Sequence, residues 1–242
     1  MTAVPDRPIS KSPDQIAGMF DAIAARYDLL NHLLSGGIDY WWRRRAIRSL
    51  ALTGRERVLD LCTGTGDLAI GAARARPGAA RVVGVDFAGA MLGVARQKIG
   101  RDRLQDRVAL VRGDATRIPI ADRSVDAVTI AFGIRNVENV GAACAEMARV
   151  LKSGGRLAVL EFAVPHAPGW RSVYGWYLSQ VLPRIGRAVS RHNGAYAYLP
   201  ASIGAFATPD ELVTILRQSG FETVSAVPLT LGSVCLYMAR RR

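Results

Sequence analysis

Asp60, Gly64, Gly66, Asp86 and Asp114 stand at the intervals expected of groups that hold a charged, ribose-bearing ligand. The stretch VLDLCTGTGDLA, residues 58–69, contains Gly64-Thr65-Gly66-Asp67-Leu68-Ala69, which fits the G-x-G-x-x-G/A form of a dinucleotide-binding turn. Gly64 and Gly66 let backbone approach a ligand closely. Asp86, 20 residues beyond Gly66, is an acid suited to ribose hydroxyls. That pattern serves NAD and S-adenosylmethionine equally well, because both present an adenosyl ribose. Two further acids separate them. Asp60 stands just before the turn, where a carboxylate suits a methionine ammonium group and sits badly beside a pyrophosphate. Asp114, followed by Ala115, closes a later apolar run, where an acid takes the exocyclic amine of adenine. A cleft with these acids suits a ligand without phosphates, so S-adenosylmethionine is the expected co-substrate.

The elements that must position these acids follow from periodicity. Ser12-Pro13-Asp14-Gln15 has the form of a capping box with proline at the first helical position. Ile16, Met19, Phe20, Ile23, Tyr27 and Leu30 then recur at helical spacing. Ser35-Gly36-Gly37 interrupts the pattern, and a second helix is expected from Asp39 to Leu50. Strands are expected at RVLDLC, RVVGVDF, RVALVRGDA, VDAVTIAFG and RLAVLEF, with helices over 67–76, 88–99 and 140–151 and a turn at Ser153-Gly154-Gly155. Strands alternating with such helices mean right-handed βαβ units and a doubly wound parallel sheet. Thr208-Pro209-Asp210-Glu211 is a second capping box, opening a helix that Gly220 ends. FETVSAVPLT and GSVCLYMARRR read as a closing pair of strands. This antiparallel-looking tail, with the Ser-Gly-Gly turn, fits a Rossmann-like methyltransferase sheet better than a dehydrogenase. The expected fold is therefore α/β, a seven-stranded mostly parallel sheet with helices on both faces. One domain spans 1–242: a disordered lead-in over 1–12, N-terminal helices over 13–50, and a helical lid over the sheet's carboxyl edge at 163–207.

Bulk properties narrow the class. The chain has 242 residues, half of them hydrophobic, and a formal net charge of +12. No apolar run approaches the ~20 residues of a membrane helix. The N-terminus has no apolar signal-peptide core, so a cytoplasmic protein is expected. Three cysteines without a C-x-x-C pair argue against a zinc site or a disulfide framework, and they read as buried thiols. The positive charge favours anionic partners, and part of it is clustered at Arg43-Arg44-Arg45 and Arg240-Arg241-Arg242.

DLCTGTGD, GVDFAGAML, GDATRIPIADRSVDAVTIAFGIRNVEN and LKSGGRLAVLEF resemble the successive motifs of class I methyltransferases. MFDAIAARYDLLNHLLSGGIDYWWRR, AFGIRNVEN, VLPRIG and YAYLPASIGAF resemble, more closely, the demethylmenaquinone / polyprenyl-methoxy-benzoquinol C-methyltransferase family. This resemblance covers Met19 to Tyr237. It implies cofactor contacts at Thr65, Asp86, Asp114 and Ala115. It also implies one at Ala131, where many members carry serine, so a hydroxyl contact is missing here. The implied reaction moves a methyl group to a ring carbon of a prenylated quinol. The Cys62-Thr63 loop leans towards members from menaquinone-making bacteria, with the benzoquinol of the ubiquinone pathway as the alternative, or both.

Carbon methylation makes its own demand. A hydroquinone carbon attacks well only when the adjacent hydroxyl is partly deprotonated, so the site needs a base or a cation that stabilises phenolate. Arg135 is assigned that stabilising role, or the orienting of a water that takes the proton, and Asn136 is assigned the holding of a quinol oxygen. The alternative for Arg135 is a loop-holding pair with Glu138 or Glu161. Tyr196 and Tyr198 are expected over the quinol as lid residues, and Tyr27 and Asn31 are expected to help close the site. His192 is a solvated histidine or a base. A lipid substrate and no membrane span imply peripheral contact with anionic membrane at the inner face of the cell membrane. That contact is expected through Trp41, Trp42 and Arg43 to Arg45, and again through Trp170 and Trp176. Nucleic acid is not an expected partner, since AFGIRN lacks the Asn/Asp-Pro-Pro-aromatic turn of base-amine methyltransferases. A homodimer is left open.

Overall fold

A computed structural model describes residues 12–182, 184 and 193–242, without the side chains of residue 13 and residues 193–197. Seven strands form one sheet: β1 (Arg57–Leu61), β2 (Arg81–Asp86), β3 (Val108–Arg112), β4 (Val125–Ala131), β5 (Leu151–Phe162), β6 (Phe221–Leu229) and β7 (Val234–Arg241). Their order is β3-β2-β1-β4-β5-β7-β6. β7 pairs antiparallel with both β5 and β6, and the other pairings are parallel. Central strands such as β1 are apolar on both faces because helices cover both.

The helices are α1 (Pro13–Leu34), α2 (Asp39–Ser49), α3 (Asp67–Arg74), α4 (Gly89–Arg101), α5 (Val140–Val150), α6 (Pro168–Trp176), α7 (Asn193–Gly204) and α8 (Pro209–Gln218). A π-helical turn, Tyr177–Val181, continues α6, and a 3-10 turn, Ile134–Asn136, follows β4. α1 lies along α4. Ile23 and Ala24 pack on Ala88 and Met91, and Asp21 accepts the Ala90 N–H at 2.8 Å. The C-terminal end of α1 meets the segment that continues α6, and α7, through Leu30, Leu182 and Leu199, and the Tyr177 hydroxyl donates to the Leu34 carbonyl at 2.5 Å.

The α/β class and the closing antiparallel pair stand as expected, while three local readings change. Ser12 makes no side-chain cap, whereas Thr208 and Glu211 form both halves of theirs. The Ser153-Gly154-Gly155 segment is not a turn before β5 but lies within it. Leu151 pairs with Val125 and Arg156 with Ala127, and Gly154 at φ +71° lets the chain bulge between them. β3 ends at Arg112, so Asp114 and Ala115 stand in the loop beyond it, where Asp114 bridges to Arg117.

Candidate functional site

Two cavities meet at the carboxyl edge of the sheet, beneath α1. The larger, about 890 Å³, opens beside the ends of β1, β2 and β4, where a parallel sheet binds its ligands. Gly64, Asp86, Asp114, Ala115, Ala131 and Asn136 line it. The smaller, about 130 Å³, is mainly apolar and lies between α1, α2, α6 and α7. Phe20, Tyr27 and Phe132 form walls of both, so a group passing from one to the other crosses between α1 and the end of β4.

Asp86 is the best-built acid of the large cleft. Its Oδ2 accepts the Gly64 N–H at 2.8 Å and its Oδ1 the Ala88 N–H at 2.9 Å. Burial pushes its carboxyl up, against the pull of those amides. Gly64, at φ +54°, turns the loop towards the cleft with open space where a Cβ would stand. Asp114 is exposed and lines the cleft, with Oδ1 taking the Thr116 N–H at 2.8 Å. Ala131 offers only a methyl group there, so this wall has no hydroxyl to give.

Three residues singled out in the sequence stand behind the cleft. Asp60 does not line it. It is 1% exposed, and its two oxygens take the hydroxyls of Thr63 (2.5 Å) and Thr129 (2.8 Å). Burial pushes its carboxyl up to about 6. Asp60 therefore braces β1 against β4 instead of meeting a ligand ammonium. The buried Thr65 hydroxyl turns the other way, donating to Asp28 of α1 at 2.5 Å. Lys98 bonds Asp28 at 2.7 Å and also Asp67, which ties α1 to the glycine loop. Gly66, at φ +83°, starts α3, and a Cβ there would stand 3.2 Å from Ala95, so its glycine serves helix packing.

Arg135 and Asn136 lie on the 3-10 turn between the two cavities. Arg135 lines the apolar one and is 4% exposed. Its Nη1 donates to Glu161 Oε1 at 2.8 Å and to the Phe132 carbonyl at 2.5 Å, and its Nε to Ser202 Oγ at 3.4 Å. The pairing with Glu161, held open in the sequence as the alternative, is thus present, while Glu138 lines the large cleft. Nη2 has no hydrogen-bond partner among the described residues. Asn136 Oδ1 accepts the Tyr198 hydroxyl at 3.0 Å and its Nδ2 donates to the Phe132 carbonyl at 3.5 Å, which leaves one amide N–H for a ligand. Tyr27 and Asn31 both line the apolar cavity. The side chain of Tyr196 and all of His192 lie outside the described residues.

Trp42 is not a surface group: it is 5% exposed, donates to Thr230 Oγ1 at 2.8 Å, and packs on Phe132 and Phe162. Trp41 and Trp176 are exposed, while Trp170 is half-buried. Cys144 and Cys235 are buried, but Cys62 lines the large cleft at φ +51°.

The sequence reading passed over Phe20, Phe132, Tyr174 and Asp39. Phe20 and Tyr27 are seven apart on one helix, two turns on a single face, and that spacing was legible. Phe132, at φ +57°, carries backbone strain at the site, which no sequence pattern announces. Tyr174 lines the apolar cavity, and its buried hydroxyl has no hydrogen-bond partner among the described residues.

The comparisons with known proteins agree with this geometry. The model of the ubiE/COQ5 methyltransferase family matches residues 9–241. A demethylmenaquinone methyltransferase of Deinococcus radiodurans is 44% identical over 245 residues, covering all of both chains. The ubiquinone/menaquinone biosynthesis C-methyltransferase UbiE of Syntrophotalea carbinolica is 48% identical over 223 residues, 92% of each chain. Among solved structures, the cyclase SpnF superposes with a TM-score of 0.68 at 18% identity, over 97% of each chain. A methyltransferase of Thermotoga maritima, described as a possible histamine N-methyltransferase, gives 0.64 at 18% identity, over 94% of this chain and all of that one. Such distant likenesses establish the fold alone, as a cyclase among them makes plain. A family match over almost the whole length, with whole-chain relatives above 40% identity, goes further: this chain belongs to the ubiE/COQ5 methyltransferase family.

Proposed function

We propose that this enzyme, an S-adenosylmethionine-dependent C-methyltransferase of quinone biosynthesis, takes demethylmenaquinol as its acceptor. The observation that carries the reading is the pair of cavities. A polar cleft bearing Asp86 and Asp114 suits the adenosyl end of the methyl donor, and an apolar cavity joined to it at Tyr27 and Phe132 suits a prenylated ring. The acceptor carbon attacks the methyl carbon along the line to sulfur. A C–C bond forms, the C–S bond breaks with its electron pair going to sulfur, and the ring then loses its C–H proton. Holding carbon, methyl and sulfur in line supplies much of the rate.

Arg135 and Asn136 stand between the cavities and are the groups that stabilise the developing phenolate. The free Nη2 of Arg135 and the second amide N–H of Asn136 are donors on two buried side chains, where such donors count most. Tyr174 offers a third polar contact. Helices α6 and α7 close over the acceptor as a lid, with Tyr198 its contact to Asn136.

A lipid acceptor has to be drawn from a membrane, and no described helix is long and apolar enough to cross one. Leu29, Leu33, Tyr40 and Trp41 are exposed around the outer end of α1, and Val173 and Trp176 on α6. With Arg44 and Arg45 beside them, they suit peripheral contact with anionic lipid. Trp176→Ser with Leu33→Ser should weaken binding to anionic liposomes at least tenfold, and unchanged binding would remove this surface from the account.

The deciding assay supplies labelled S-adenosylmethionine with two reduced acceptors, demethylmenaquinol and the demethylated methoxy-polyprenyl benzoquinol. Label on the naphthoquinol alone supports the reading, and label on both gives a shared enzyme. Label on neither, with donor binding intact, refutes it. Arg135→Ala should abolish turnover while donor affinity stays near native.

A further inference from the structure

The reaction releases one proton into a mainly apolar cavity, and among the described residues one carboxylate lines that cavity, Asp39. It stands at the start of α2 and is 2% exposed. Three donors fix it. Ser35 Oγ donates to Oδ1 at 2.8 Å, His32 Nδ1 lies 2.9 Å from Oδ2, and Arg43 Nε lies 3.5 Å from the same oxygen. An isolated buried carboxylate is costly, and here three polar partners, on α1, on α2 and in the turn between them, hold the group in place. A clasp for the α1–α2 turn needs no opening into a ligand cavity, yet Asp39, Ser35 and Arg43 all line this one.

We propose that Asp39 is the general base of the methyl transfer. This rests on the quinol reading above and adds the proton acceptor to it. The Asp39 carboxylate takes the proton of the hydroxyl adjacent to the reacting carbon. The electron pair of that O–H bond moves into the ring, the ring carbon forms the new bond to methyl, and the C–S pair goes to sulfur. The proton on the methylated carbon then returns to the ring oxygen, so the net proton remains on Asp39 until it passes to water. Arg135 stabilises the phenolate and Asp39 takes its proton, two tasks for two side chains on opposite elements. His32, Ser35 and Arg43 are positioning residues. The titratable and charged groups around Asp39 are Tyr40 and Arg43 on its own helix and His32 on α1, with Tyr27 on α1 and Arg135 on the 3-10 turn sharing the cavity. Tyr174 on α6, Tyr177 just beyond it and Tyr198 on α7 complete that set.

The test compares the full-length enzyme with Asp39→Asn across pH, with demethylmenaquinol and saturating donor. Asparagine keeps the shape and can still accept from Ser35 or His32. Loss of a positioned base lowers kcat by roughly 10²–10⁴. That deficit should shrink as pH rises, because an ionised quinol needs no base. Donor affinity should stay native, since Asp39 does not line the donor cleft. His32→Gln, which retains a donor towards Asp39, should lose less than tenfold. A deficit in Asp39→Asn that is the same at every pH, or native turnover, overturns the proposal. Should Asp39→Asn fail to fold, Asp39→Glu replaces it. A displaced base leaves the slope of the acid limb in place at lower kcat, and a profile without an acid limb overturns the proposal. Failure of Arg135→Ala to affect turnover strikes the phenolate reading separately and leaves Asp39 standing.

Discussion

Glu161→Ala isolates the buried pair behind the 3-10 turn. Glu161 is fully buried and accepts from Arg135 Nη1 (2.8 Å), the Arg135 N–H (3.3 Å) and the Phe162 N–H (2.9 Å). Alanine removes all three bonds and leaves a guanidinium, 4% exposed, facing the Phe132 carbonyl, Ser202 Oγ and the Phe162 ring. Breaking one side of a buried ion pair costs about 3–5 kcal/mol. Against a total stability of about 5–15 kcal/mol, that is a large fraction. At roughly 2–4 °C per kcal/mol for a chain of this size, Tm should fall by about 6–20 °C. Thermal unfolding followed by circular dichroism and calorimetry measures it. The double variant Glu161→Ala with Arg135→Met removes the stranded charge, and it should be more stable than Glu161→Ala alone by roughly 1–4 kcal/mol. A Tm within about 2 °C of native for Glu161→Ala, or a double variant less stable than that single one, refutes the reasoning.

Asp86→Asn places an NH₂ group against either the Gly64 or the Ala88 N–H, where two acceptors now stand. That mismatch lowers stability, while loss of the ionised acceptor for the ribose hydroxyls costs about 1–3 kcal/mol of binding, so donor affinity by calorimetry should weaken roughly 5- to 150-fold. Gly133→Ala puts a Cβ 2.4 Å from the Cβ of Cys62, backbone-proximal and unable to swing away. It should destabilise by about 1–3 kcal/mol in urea unfolding and disturb both cavities, and a native melting curve would contradict the close approach. Asp60, raised to about 6 in the fold from an ordinary value near 3.8, binds its proton more tightly folded than unfolded. Its contribution is complete below about pH 4 and is lost as pH rises through about 6. At 1.36 kcal/mol per pH unit this is about 2–3 kcal/mol, so Asp60→Asn should flatten the fall in stability between pH 4 and 7. Parallel stability profiles for the two proteins would show that burial does not raise this carboxyl.

The sequence by itself determined the sheet and its binding edge. Alternation of apolar runs with helical periods can be satisfied only by βαβ units, and their fixed handedness sets where the ligand edge lies. Hence the large cleft, with Gly64, Asp86 and Asp114 along it, was legible from spacing, and Ala115 from the family resemblance. What spacing could not tell was the direction of each side chain at the end of a strand. Asp60 and Asp86 close consecutive strands and look alike in sequence. Yet Asp60 turns inward to two threonine hydroxyls, while Asp86 faces the cleft. Thr65 and Gly66 likewise sit in the loop but serve α1 and α4. Trp41 and Trp42 are neighbours whose fates diverge because a helix turns about 100° per residue, placing one in solvent and the other against Phe132. The apolar cavity, with Asp39, Arg135 and Tyr174, was the least visible part. Its walls come from segments more than a hundred residues apart, and only tertiary packing brings Asp39 and Arg135 into one space. Local periodicity decides an element and its buried face; which elements share a cavity depends on how the whole chain packs.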